Sequence, residues 1–205
     1  NLIDYAITTY FAGDRDGPAS RFVDGVNNYF GIYNRENPDG FKFFEHDSEH
    51  TLDTGFPDLA EQPTTNGSQF RYFNPLWMHE QLAVTNSDYQ LRFADRILEL
   101  TKPGGALDDN NTRSLLAQRA GEIETAIIAE SARWGDAKRD EPFAKTDWLD
   151  AVEVANAFLT DRGEMLIEQF RNMEWLPSLP SPTLLVEDEP SVGGPISQSD
   201  DISLV

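Results

Sequence analysis

The chain has 205 residues, 39% hydrophobic and 11% aromatic, with 36 Asp and Glu against 16 Lys and Arg for a formal net charge of −20 at pH 7. Such length and aromatic content specify one domain with a buried core plus a tail, and the acidic balance excludes a nucleic-acid partner, because phosphates are bound by clustered basic side chains. The absence of cysteine excludes disulfides, thiolate nucleophiles and zinc–thiolate centres, while the surplus of carboxylates suits a protein that holds divalent cations or works in a salty medium.

No apolar run reaches the roughly 18 residues a bilayer span needs, so no membrane span is expected, and Asn1-Leu2-Ile3-Asp4-Tyr5 lacks the pattern of a signal peptide. An element is already under way at Leu2 without an initiator Met, which predicts further sequence upstream. Leu2, Ile3, Ala6, Ile7, Tyr10 and Phe11 recur at i, i+3 and i+4 and predict a buried helix over 2–12 that stops at Gly13. Gly13-Asp14-Arg15-Asp16-Gly17-Pro18 is a run of turn formers, which places an acidic pair on a loop held by that helix.

Asn27-Asn28-Tyr29-Phe30-Gly31-Ile32-Tyr33 and Phe41-Lys42-Phe43-Phe44-Glu45-His46-Asp47 flank the turn Asn37-Pro38-Asp39-Gly40 and predict a β-hairpin. A second strand continued to Glu49 would turn Asp47 and Glu49 to one face and His46, Ser48 and His50 to the other. Residues 53–74 predict a long irregular connection. Helical spacing resumes from Pro75 with Leu76, Trp77, His79 and Leu82, then with Tyr89, Phe93, Ile97, Leu98 and Leu100 up to Pro103-Gly104-Gly105.

Two longer helical runs follow, Leu115 to Trp134 and Trp148 to Phe170, with Thr112 and Thr146 as their expected N-caps. Phe41, Phe43, Phe44, Trp77 and Trp148 are expected in the core, and Trp134, Gly135, Asp136 and Lys138 at a helix end. The expected class is α+β, a small β-hairpin packed on a helical bundle over residues 1–176, with an acidic Pro/Ser/Gly-rich linker or tail over 177–205.

One constellation carries chemistry. Asp16 lies on a loop after a helix, Asn27 and Asn28 open a strand, and Asp47 and Glu49 close the next one. A hairpin brings the start of its first strand beside the end of its second, so these oxygen ligands converge. A base for an attacking hydroxyl beside hard ligands for magnesium is the arrangement a phosphotransferase needs.

These motifs resemble the CotH kinase family, the spore-coat-type atypical protein kinases. The likeness lies in Gly-x-x-Asp at Gly13 to Asp16, Asn-Asn-aromatic at Asn27 to Tyr29, Gly40-Phe41-Lys42-Phe43-Phe44, the acidic end His46-Asp47-Ser48-Glu49-His50, and Ala129 to Lys138, over roughly residues 2–175. The resemblance implies a protein-kinase-like C-lobe that moves phosphate from ATP to protein Ser/Thr hydroxyls with Mg2+ or Mn2+. Carried over, Asp16 matches the catalytic-loop Asp, Asn28 or Asn27 the metal-binding Asn, and Asp47 the metal-binding Asp; Glu49 either adds a further metal ligand or faces solvent.

The sequence departs from that pattern in two places. Arg21 stands where the catalytic-loop Asn of a kinase usually follows the Asp, so the loop must bulge before the Asn pair, and the common Trp-Asp-x-Asp ending is here His46-Asp47-Ser48-Glu49. Lys42, Lys102, Lys138 and Lys145 are the only lysines and none sits in a nucleotide-lobe context, so ATP contacts are expected from a segment upstream. The resemblance further implies a secreted or surface bacterial protein, other modules of a larger exported chain as partners, and no competence as a kinase for this stretch alone.

Other readings remain beside this one. An inactive CotH-like structural or adhesive module would use the same acidic loops for divalent cations. A hydrolase with Asp16 and Asp47 as acid and base would need an aromatic groove between them. His46, His50 and His79 are too few and too scattered for an ordinary zinc site.

Overall fold

In a computed structural model the protein is described over residues 1–23, 26–53, 74–137 and 140–177. The expected irregular connection falls almost wholly outside these residues, as do Lys138 and the tail beyond Pro177. Among the described residues the fold is α+β. Its elements are α1 (Leu2–Ala12), β1 (Tyr29–Tyr33), β2 (Phe41–Glu45), α2 (Pro75–Thr85), α3 (Ser87–Thr101), α4 (Asp109–Trp134), α5 (Lys145–Leu159) and α6 (Arg162–Asn172).

The first helix is the axis of the molecule. Tyr5, Ala6, Ile7, Thr9, Tyr10 and Phe11 of α1 are all buried, because β2, α2, α3 and α6 pack around it. Phe93 and Ile97 of α3, Leu166 and Phe170 of α6, and Trp175 complete the core. The two strands pair antiparallel with Gly31 opposite Phe43 and Tyr29 opposite Glu45. Phe43 turns inward onto Tyr5, ring centres 5.9 Å apart, and Phe41 and Phe44, expected inside, are instead exposed. Alternation along β2 turns Phe43 to the core and Phe44 away from it, while Phe41, on the same face as Phe43, lies past the core at the turn end of the hairpin opposite Tyr33.

The Asn1 side chain lies along the other edge of β2, accepting the Phe43 N–H at 2.5 Å and donating to the Phe43 carbonyl at 3.3 Å.

Helix boundaries depart from the sequence expectation where threonine was involved. The N-cap of α4 is Asp108, and Thr112 sits inside the first turn with its hydroxyl donating back to the Asp108 carbonyl at 3.1 Å. The N-cap of α5 is Ala144, whose N–H is taken by Asp147 Oδ2 at 2.7 Å, so Thr146 is helical too. A threonine hydroxyl can satisfy itself on the preceding turn, which removes its advantage at a cap. The run from Trp148 to Phe170 is two helices, broken at Asp161, which takes a left-handed backbone (φ 54°).

The cap position after α4 is Gly135, as expected for a helix end. α4 has no buried residue and packs mainly on α5, so α4 and the first turns of α5 form an arm, while Phe158 and Leu159 at the end of α5 join the core. No helix among the described residues is long and apolar enough to cross a membrane.

His79 is fully enclosed by Tyr89, Phe93, Tyr10 and Trp175, and its Nδ1 shares a hydrogen bond with the Tyr89 hydroxyl at 2.8 Å. Burial lowers its pKa to about 3. The folded state therefore holds His79 neutral, while the unfolded chain takes up a proton below the ordinary value of 6.5. Its contribution to stability is full above pH 6.5 and is lost as pH falls toward 3. The stability difference between wild type and His79→Met, from urea unfolding, should shrink by about 1.4 kcal/mol per pH unit below 6.5. A difference independent of pH between 6.5 and 4 would show that His79 charges inside the fold.

Candidate functional site

The site begins where α1 ends. Gly13 adopts a left-handed backbone (φ 65°), a conformation glycine enters without a Cβ penalty. The Gly13 N–H then bonds the Tyr10 carbonyl and the Asp14 N–H the Thr9 carbonyl, each at 3.2 Å, the paired bonds that close a helix and turn the chain away. From below, the buried Arg162 of α6 donates Nε to the Phe11 carbonyl at 2.8 Å and an Nη to the Tyr10 carbonyl at 2.5 Å. The last carbonyls of α1 thus face a guanidinium, favourable both as hydrogen bonds and against the helix dipole.

The loop after Gly13 is tied to the segment that follows β2. The Arg15 N–H donates to the His50 carbonyl at 3.1 Å and the Leu52 N–H to the Ala12 carbonyl at 2.8 Å. Arg15 also pairs with Asp53 at 3.0 Å. Two stretches more than thirty residues apart in sequence thereby become one surface.

Asp16 stands at its centre with both carboxylate oxygens held. Oδ1 accepts from Ser20 Oγ at 2.5 Å and from Asn27 Nδ2 at 2.9 Å, and Oδ2 accepts from Asn28 Nδ2 at 3.1 Å. The backbone of Asn28 is left-handed (φ 39°), which Asn tolerates better than most residues and which swings its amide toward Asp16 just before β1. Each Asn thus directs its side-chain N–H at Asp16, and an amide oxygen is an acceptor-only group of the kind hard cations take.

Glu49 and His50 complete the group. One ligand atom from each of Asp16, Glu49 and His50 lies within 4.8 Å of the others. β2 ends at Glu45 rather than running on to Glu49, so strand alternation does not govern this segment and Glu49 and His50 reach the same place. Asp47 is exposed, with a left-handed backbone (φ 54°) in the turn leaving β2. It lies outside that three-residue group and makes no hydrogen bond or ion pair with the described residues.

No known protein family, curated protein or solved structure matches this chain.

The donor set fits a hard divalent cation. The group of Asp16, Glu49 and His50 offers two carboxylates and an imidazole, ligand types that Mn2+ accepts. The three histidines do not gather into a zinc site among the described residues, since His79 is in the core and His46 lies against Phe30, ring centres 4.8 Å apart. Described residues offer no lysine at the site: Lys42 pairs with Asp39 at 2.9 Å by the hairpin turn, and Lys145 with Glu124 at 2.6 Å on the arm.

The structure brings together Asp16, Asn27 and Asn28, and Asp16 with Glu49, four residues the sequence singles out; the sequence assigns no role to Ser20, Asp14 or Glu45. Ser20 lies four residues after Asp16, a spacing that in a turn-rich loop allows its hydroxyl to fold back. Asp14 was legible only as the first of an acidic pair. Glu45 carried no signal, because a glutamate at a strand end ordinarily faces water.

Proposed function

We propose that this domain is a CotH-type atypical kinase C-lobe, a phosphotransferase that uses ATP and Mg2+ or Mn2+ to phosphorylate Ser/Thr hydroxyls of proteins. The observation that carries the reading is the Asp16 carboxylate, gripped at both oxygens by Ser20, Asn27 and Asn28 beside Glu49 and His50. When bound, the cation and ATP supply charge neutralisation and the phosphoryl group. Asp16 orients the acceptor hydroxyl and takes its proton. Glu49 holds the cation with the amide oxygens of Asn27 and Asn28 in reach of the same loop, His50 adds a nitrogen ligand, and Asp47, exposed outside this group, joins only if the turn after β2 moves.

The acidic surface, with a net charge of −20, supports an exported protein acting in a cation-rich medium. In that setting the partners are a protein substrate and other modules of a larger secreted or surface bacterial chain.

The test is Mn2+- or Mg2+-dependent ATP consumption and protein phosphorylation by the full-length parent protein. A folded protein that binds Mn2+ but turns over no ATP with either ion would replace this reading with the second one, a cation-holding structural or adhesive module. That alternative needs only the Asp16, Glu49 and His50 group.

The imidazole gives a finer expectation. His50→Asn should weaken Mn2+ binding about tenfold, measured by calorimetry, and change Mg2+ binding much less, because nitrogen ligation favours the softer ion. Equal losses for both ions would remove His50 from the ligand set.

A further inference from the structure

We propose that Ser20 is a positioning residue of this site: its single hydroxyl proton closes Oδ1 of Asp16 and leaves Oδ2 as the oxygen that acts. The expected effect on turnover rests on the phosphotransfer reading; the expected effect on geometry does not.

A serine hydroxyl has one proton to give and two lone pairs that accept. Both lone pairs of Ser20 are in use, because Oγ accepts the Phe22 N–H at 3.0 Å and the Val23 N–H at 3.2 Å. Its proton therefore has one direction left, toward Asp16, where Oγ stands 2.5 Å from Oδ1, at the short end of the range for a hydroxyl on a carboxylate.

Asn27 donates to the same Oδ1 at 2.9 Å, which fills the two lone pairs of that oxygen. Oδ2 accepts only the Asn28 amide among the described residues, at 3.1 Å, and keeps a lone pair for a ligand or for the proton of an acceptor. The Asp16 backbone is pinned separately, its N–H held by Asp14 Oδ1 at 3.0 Å. What Ser20 removes is the rotation of the carboxyl group itself.

The same hydroxyl reaches His50 from the other side. The turn it anchors through two N–H groups carries the Phe22 ring, whose centre lies 4.5 Å from that of His50. Ser20 thus sets two members of the Asp16, Glu49 and His50 group, one directly and one through a ring contact. It is not itself a ligand, since its lone pairs are spent.

Ser20→Ala and Ser20→Cys separate hydrogen bonding from packing. Cysteine fills the space of serine but is a weak donor and a weak acceptor. A positioning hydroxyl makes the two variants behave alike; a hydroxyl that only fills space leaves Cys like the wild type.

In both variants the side-chain amide protons of Asn28, read by NMR, should exchange about tenfold faster as the carboxyl group turns, and Mn2+, measured by calorimetry, should bind about tenfold more weakly, the usual cost of losing an outer support. In the full-length parent protein kcat should fall about tenfold while KM for the acceptor stays within about twofold. Ser20→Thr returns the hydroxyl and should restore both the amide exchange and the Mn2+ affinity.

The proposal is overturned if the Cys variant matches the wild type, or if the Asn28 amide is unmoved in both variants. Amide exchange and Mn2+ affinity that follow the expected pattern in a protein that turns over no ATP would sink the phosphotransfer reading and leave the positioning role standing. Wild-type turnover in both folded variants would do the reverse.

Discussion

Asp16→Ala should lower Mn2+-dependent phosphotransfer by about 10²–10⁴-fold, the range expected when a positioned general base is removed, without unfolding the protein. The side chain is only half-buried, and its partners Ser20, Asn27 and Asn28 can each turn to water. The loss should fall on kcat rather than on KM for the acceptor, because the proton is taken in the transition state. Asp16→Asn is the sharper comparison. It keeps the size of the side chain, removes its basicity, and places an amide against the two Asn amides. A rate within threefold of wild type in both variants, with native unfolding midpoints, would remove Asp16 from the chemistry.

Arg162→Leu should destabilise the fold by about 3–5 kcal/mol. The guanidinium is fully buried and sits 4.6 Å from the Phe158 ring centre. Its loss leaves the Tyr10 and Phe11 carbonyls without charged donors, each costing about 1.5–3 kcal/mol. Urea unfolding measures the change, and a loss below 1 kcal/mol would mean that water enters and takes over the carbonyls.

The same variant should weaken Mn2+ binding at temperatures where it remains folded, since the carbonyls released are those that end α1 and set the direction of the Asp16 loop. Arg162→Lys tests the geometry. One ammonium cannot present two N–H groups in the fork that spans successive carbonyls, so it should recover only part of the loss.

These two residues show what was legible in the sequence. Asp16 could be found because a loop of Gly, Asp and Pro after a buried helical stripe is a local signal, and the Asn pair because it opens an aromatic strand. The axis α1, the hairpin, α2 and α3 were readable for the same reason: periodicity and punctuation are written within a dozen residues. Arg162 was not readable. Its partners lie about 150 residues earlier, and an Arg in a helical run ordinarily marks the solvent face. Glu45 was hidden in the same way, since Thr9, whose hydroxyl it accepts, lies 36 residues away. The threonine caps failed because Thr112 and Thr146 have local alternatives that sequence cannot rank, and the break at Asp161 was missed because a left-handed aspartate looks like any polar position of a helix.

The amide of Asn1 that occupies the Phe43 backbone has a consequence for assembly. A pair of strands has two open margins, each able to template another strand from a neighbouring chain. Here a side chain imitates the next strand on the β2 margin, meeting Phe43 with one donor and one acceptor as a neighbouring backbone would. Growth of the sheet, whether by a partner peptide or in aggregation, is thereby directed to the β1 margin and its exposed Phe30 and Ile32.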